Sequence, residues 1–189
     1  MFSSVLSDNG LSSFQWAAVL GGSLAAAATD WHHRRIPNWL TGLMLLGGLL
    51  HAGYVAGWLG LADALGACVL LALPYIVLFV LADGGAGDAK LMGAIGAWLG
   101  WAMGLVVLLA VAVCGIVLGL LIAGARRRRA AVFAHIIGSL RVMWLTGGGA
   151  MRPKDAARFM PQPSSSLSMP YAVAIFLGTC GAGVIWHWL

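Results

Sequence analysis

Asp88 and Asp30 are the residues around which chemistry can be built. Residues 81–92, LADGGAGDAKLM, set three glycines, two carboxylates and a lysine between long apolar runs, in a chain only 9% charged. A carboxylate at the edge of a membrane helix is costly to keep, so it is a functional candidate by default. Glycines just ahead of Asp88 remove side chains, let a partner backbone approach and open positive φ. One comparable site lies upstream, Thr29-Asp30-Trp31, again at the end of an apolar run. Two carboxylates a few ångströms apart cannot both ionise easily, so they tend to share one proton. The protonated member can polarise a peptide carbonyl while the ionised one deprotonates an attacking water. Partial burial raises the proton affinity of both and moves the working range toward neutral pH. Asp30 and Asp88 are therefore expected to meet. Two simpler roles compete on the residues alone: Asp88 as a cap at a helix N-terminus, and Asp30 as the ion-pair partner of Arg34 or Arg35.

The elements that must position this pair are apolar. The chain has 189 residues, 61% of them hydrophobic, with mean hydropathy +0.92. Several runs near twenty residues then imply an all-α membrane protein, a single polytopic domain over residues 1–189. The expected spans are residues 12–29, 39–55, 58–81, 88–100, 102–125 and 169–188. Pro74 should kink the third or loosen its last turns. Residues 89–125 as one straight helix would measure roughly 55 Å, far beyond the ~30 Å of hydrocarbon, so a break is expected near Gly100-Trp101. Gly96, Gly100 and Gly104 form a small-residue ridge for close helix contact, with Gly100 equally suited to a turn. Val132, Phe133, Ile136, Ile137, Leu140, Met143 and Trp144 repeat at helical spacing, which gives an interfacial amphipathic helix over 130–146. Residues 147–168, rich in Gly, Pro, Ser and charge, read as a mobile loop. The first ten residues hold no base and make a poor signal peptide, so the first run is read as a retained helix.

Charge sets the orientation. The eleven basic residues are Arg34, Arg35, Lys90, Arg126 to Arg129, Arg141, Arg152, Lys154 and Arg158. With six spans and both termini outside, all fall on the cytoplasmic side, and the other side receives Asp8 and Asp63. The net charge of +5 is thus a topological bias rather than a nucleic-acid surface. Trp31 and Trp39 fall at the inner boundary, and Trp16, Trp58, Trp98, Trp101, Trp186 and Trp188 near the outer one, as aromatic belts. Cys68, Cys114 and Cys180 are isolated in apolar runs, with no CxxC pair, so neither a metal module nor a disulfide framework is supported.

Gly85-Ala86-Gly87-Asp88, followed by Ala89-Lys90-Leu91-Met92 and by residues 96–100, GAWLG, resembles the GxGD signature of the prepilin peptidases. Asp30 followed by Arg35-Ile36-Pro37-Asn38 resembles their first catalytic motif, and Pro170-Tyr171-Ala172 a proline segment before their last helix. The resemblance implies a membrane aspartic endopeptidase of the bacterial inner membrane, without a cofactor. It would cut the short basic leader of a type IV pilin or pseudopilin precursor at the cytoplasmic face, after a glycine and just before the hydrophobic helix. Carried over, Asp30 and Asp88 are the catalytic pair, Gly85 and Gly87 let the loop approach, and Lys90 is a candidate for tuning or positioning. Bifunctional members add a cytoplasmic domain, often with paired cysteines, that N-methylates the new terminus. Here the first cytoplasmic loop is under ten residues and lacks CxxC, which resembles the short members serving Flp-type (tight adherence) pili and speaks against methyltransferase activity.

The remaining polar residues draw plainer readings. His32 and His33 are solvated loop histidines, Asp83 is a loop or helix-end residue, and Arg126 to Arg129 anchor the topology against lipid headgroups. The alternative function is a small ion- or proton-coupled transporter using the same acids as a relay. Its usual signature, broken polar segments near the midplane in both halves, is missing from the sequence.

Overall fold

The computed structural model describes residues 13–82, 85–125 and 171–188. They form four helical elements, α1 (Ser13–His33), α2 (Asn38–Ala82), α3 (Ala86–Ala125) and α4 (Tyr171–Trp188), and no strand occurs among the described residues. The expected interfacial helix at 130–146 and the loop at 147–168 lie outside the described residues.

Two of these helices are not single rods. α2 runs for 45 residues and α3 for 40, and each is interrupted by one glycine with positive φ: Gly57 (φ 60°, ψ −143°) and Gly100 (φ 70°, ψ 179°). Both pairs of angles belong to glycine almost alone. Contacts show that the chain turns back at each. Gly60 packs against the Ala52 carbonyl and the Ala56 Cβ, although eight residues of unbroken helix would put Ala52 and Gly60 about 12 Å apart. Ahead of Gly100, Gly93 lies on Cys68, Gly96 on Ala67 and Gly100 on Asp63, an antiparallel run. Beyond it Gly104 lies on Leu71, so the direction has reversed.

The break near Gly100 follows the sequence expectation, and Gly96 and Gly104 provide the close packing expected of the ridge. At Pro74 the dihedrals stay helical; Gly57 alone departs inside α2. The Asp63 carboxylate accepts the Trp101 backbone N–H and so caps the second arm of α3 from a neighbouring rod.

Burial singles out one rod. Residues 91–99, in the first arm of α3, are all buried, with Leu91, Met92, Ala94 and Ile95 at 0% exposure. Around this axis stand both arms of α2, the second arm of α3, α1 and α4. Their outward faces carry exposed Leu43, Leu50, Leu59, Val69, Leu109 and Val113, an apolar surface that suits lipid rather than water. Asn38–Val80 and Ala86–Leu121 are long and apolar enough to cross a membrane.

Trp98 departs from the belt expectation. It is 8% exposed, its indole N–H donates to the Met44 carbonyl at 2.7 Å, and Gly47 and Gly48 lie against it. Its own carbonyl accepts from Gln15 Nε2 at 3.1 Å. Trp98 is a core residue because two facing glycines make room for the ring.

Gly100→Ala tests the hinge. The left-hand backbone alone should cost about 1–3 kcal/mol, and the new Cβ would fall on Asp63 Oδ2. Gly53→Ala, in helix with nothing within 4 Å of the new Cβ, should cost nothing. Thermal unfolding of the detergent-solubilised protein should rank Gly100→Ala clearly below both Gly53→Ala and the wild type; equal midpoints would contradict the hinge.

Candidate active site

The site starts where α1 stops. Arg34 is the one described non-glycine residue with positive φ, 51°, and its N–H donates to the Asp30 carbonyl at 2.8 Å, closing the helix with a left-handed cap. The turn is therefore abrupt. Within three residues the chain presents Ile36, and the Pro37 carbonyl accepts from Leu40 N–H at 3.2 Å and Thr41 N–H at 3.4 Å to start α2. Ile36 meets Gly87: a Cβ at position 87 would stand 3.1 Å from the Ile36 Cβ. The loop after α1 and the glycine loop before α3 are thus packed on each other.

Asp30 lies just past the apolar run of α1 and is half-buried. Its Oδ2 accepts the Ala172 N–H at 3.3 Å, across 142 residues. That N–H belongs to the first turn of α4, where helical N–H groups have no partner within the helix. Burial pushes the Asp30 carboxyl above the ordinary aspartate value, and the Ala172 hydrogen bond opposes this without cancelling it. Burial and the Ala172 N–H are what act on Asp30, while Arg34 and Arg35 are exposed, which does not favour the ion-pair alternative.

Asp88 sits in the first turn of α3, its N–H donating to the Gly85 carbonyl at 3.1 Å. Its carboxylate folds back over the loop, so that a Cβ at position 85 would lie 2.6 Å from Oδ2. Glycine at 85 is what leaves that space. The capping position and electrostatic reach of the other acid are therefore compatible, because the charge of Asp30 is felt at Asp88. Asp88 in turn lies within electrostatic reach of Tyr75 and Tyr171. These two phenols are hydrogen-bonded to each other, with ring centroids 5.9 Å apart in an edge-on arrangement.

Lys90 does not reach the acids. Its Nζ donates to Asn38 Oδ1 at 2.8 Å, joining the first turns of α2 and α3 on the exposed side. Arg35 is exposed, while His32 and His33 are exposed with their rings 6.4 Å apart. Asp83 lies outside the described residues. Among the described residues no group of three or more His, Cys, Asp or Glu side chains comes together as a metal site.

Of the sequence candidates, Ile36 meets Gly87 and Gly85 meets Asp88, and Asp30 lies within electrostatic range of Asp88; Asn38 and Lys90 brace one side. Tyr75 was not singled out by sequence, and Tyr171 only as part of a proline segment. The available signal was a phenol directly after Pro74 in an otherwise apolar run, and it says nothing about a partner.

The type IV leader peptidase family model matches residues 17–120, more than half of the 189-residue chain, and the chain belongs to that family. The match contains both aspartates and both motif glycines; it ends before α4. No curated protein and no solved structure matches the chain.

The Asp30 environment fixes a sign. With its carboxyl raised above 3.8, the native state holds a proton that the unfolded chain has released. Stability must therefore fall as pH climbs through that window. Asp30→Asn removes the charge and keeps an oxygen for the Ala172 N–H. The variant should melt no lower than wild type at neutral pH, with the difference shrinking toward pH ~4, where an unperturbed aspartate titrates. A deficit that grows toward neutral pH would contradict the assignment.

Proposed function

We propose that the chain is an aspartic leader peptidase in which Asp30 and Asp88 are the acid–base pair. The observation carrying this reading is that two carboxylates 58 residues apart (88 − 30) come to the same end of the bundle, close enough for one charge to act on the other. One aspartate, ionised, takes a proton from water as the water oxygen bonds to the scissile carbonyl carbon. The other, protonated, donates a hydrogen bond to the carbonyl oxygen. Asp63 lies at the opposite end and is engaged by the Trp101 N–H, so the described acids do not line a path along the bundle. That favours hydrolysis over a relay.

Reversal at Gly57 and Gly100 gives six helical rods among the described residues, which supports six crossings of the inner membrane. Arg34, Arg35 and Lys90 stand at the end that holds the two acids, and the positive-inside rule then puts this end in the cytoplasm and both termini outside. The substrate is a type IV or Flp-type pilin or pseudopilin precursor, held by its apolar helix among lipid and cut after the leader glycine. Four residues, 34–37, join α1 to α2. They leave no room there for a methyltransferase domain, in keeping with a peptidase of the short type.

Asp30→Asn and Asp88→Asn, each expressed with a pilin precursor, provide the test. Each should slow cleavage by about 10²–10⁴-fold, the contribution of a positioned acid or base. Uncut precursor should accumulate while the enzyme itself remains folded in the membrane. Normal processing in either variant would remove the assignment.

A further inference from the structure

We infer that Tyr171 is a hydrogen-bond donor to the scissile carbonyl oxygen, held in place by Tyr75 and by Gly115. This deepens the reading of Asp30 and Asp88 as the acid–base pair and rests on it. Two phenols carry two O–H groups, and their mutual hydrogen bond uses one of them. The second remains available. Tyr75 is 7% exposed and closed in, whereas Tyr171 is partly exposed at the first residue of α4, where a peptide can reach it.

Its neighbours fix its direction. Ala172, the next residue, gives its N–H to Asp30 Oδ2 at 3.3 Å, so the start of α4 is registered against one acid. The Tyr171 ring lies edge-on to Tyr75 at 5.9 Å. On the remaining side the hydroxyl rests on the second arm of α3, where a Cβ at Gly115 would stand 2.7 Å from it. Asp88 is near enough to act electrostatically on both phenols.

A peptide carbonyl bound at the start of α4 would meet the acids on one side, Asp30 through the neighbouring Ala172 and Asp88 within electrostatic range of Tyr171, and the Tyr171 O–H on another. As water loses its proton to the ionised aspartate and bonds to carbon, the carbonyl electron pair moves onto oxygen, where the phenol hydrogen bond stabilises it. The C–N bond then breaks, the pair returns to the carbonyl, and the amine leaves with the proton taken from water. Tyr171 keeps its proton throughout. The Ala172 N–H cannot serve as this donor, because Asp30 already holds it.

The test uses the purified full chain and a synthetic precursor peptide with a basic leader, the leader glycine and the first apolar residues. Tyr171→Phe should lower kcat about 10²-fold, as removal of one oxyanion donor does, with KM within about twofold. Gly115→Ala, which removes no polar group, should lower kcat in the same direction by displacing the hydroxyl. The double variant should be little worse than Tyr171→Phe alone, since the tightest contact, at 2.7 Å, is to that oxygen and the ring carbons stand farther off at 3.2 and 3.3 Å. Should Tyr171→Phe fail to fold, Gly115→Ala alone still decides between a fall in kcat and none. Full kcat in Tyr171→Phe or Gly115→Ala, with Asp88→Asn inactive, would overturn this inference and leave the acid pair standing. Activity in Asp88→Asn would remove both.

Discussion

The Ala172 N–H to Asp30 Oδ2 hydrogen bond ties the last helix to the first across 142 residues. An apolar bundle in lipid has little hydrophobic drive to order its helices, so packing and a few polar contacts must do it. This contact works in both directions. It gives an otherwise unpartnered N–H at the α4 terminus an acceptor, and it gives a half-buried carboxylate a donor. A negative charge at a helix N-terminus is also favoured by the helix dipole. Burial still outweighs this at Asp30 and leaves its carboxyl raised. A carboxylate held so, neither neutralised by an arginine nor released to water, is suited to acid–base work.

Small residues supply the rest of the precision. Gly87 admits Ile36, Gly85 admits the Asp88 carboxylate, Gly96 admits the Ala67 backbone and Gly178 admits Val111. Where the chain must reverse, Gly57 and Gly100 take angles that other residues rarely adopt. The consequence is a central rod, residues 91–99, buried along its whole length, with Asp88 one turn before it begins.

Much of this was legible from residue types. Asp30 and Asp88 stood out because charge is scarce in the chain, and the break at Gly100 followed from length against bilayer thickness. What stayed hidden were contacts between elements. Trp98 looks like a belt residue until Gly47 and Gly48 face it, and hydropathy does not report which face a ring turns to. Charge patterning places Asp63 only on the outer side, and the structure adds that it caps the arm beginning at Trp101. Lys90, a candidate for tuning or positioning, has its Nζ on Asn38, a partner 52 residues away that spacing alone does not reveal. The Tyr75–Tyr171 pair joins residues nearly a hundred positions apart, and no local spacing encodes such a meeting.

The central claim is that residues 30 and 88 occupy one place at one end of the bundle. With Cys68, Cys114 and Cys180 replaced by alanine, the pair Asp30→Cys and Asp88→Cys should be joined within the chain by a short bifunctional thiol reagent in native membranes. The pair Asp30→Cys and Asp63→Cys should not. A missing link in the first pair, or an efficient one in the second, would contradict the account.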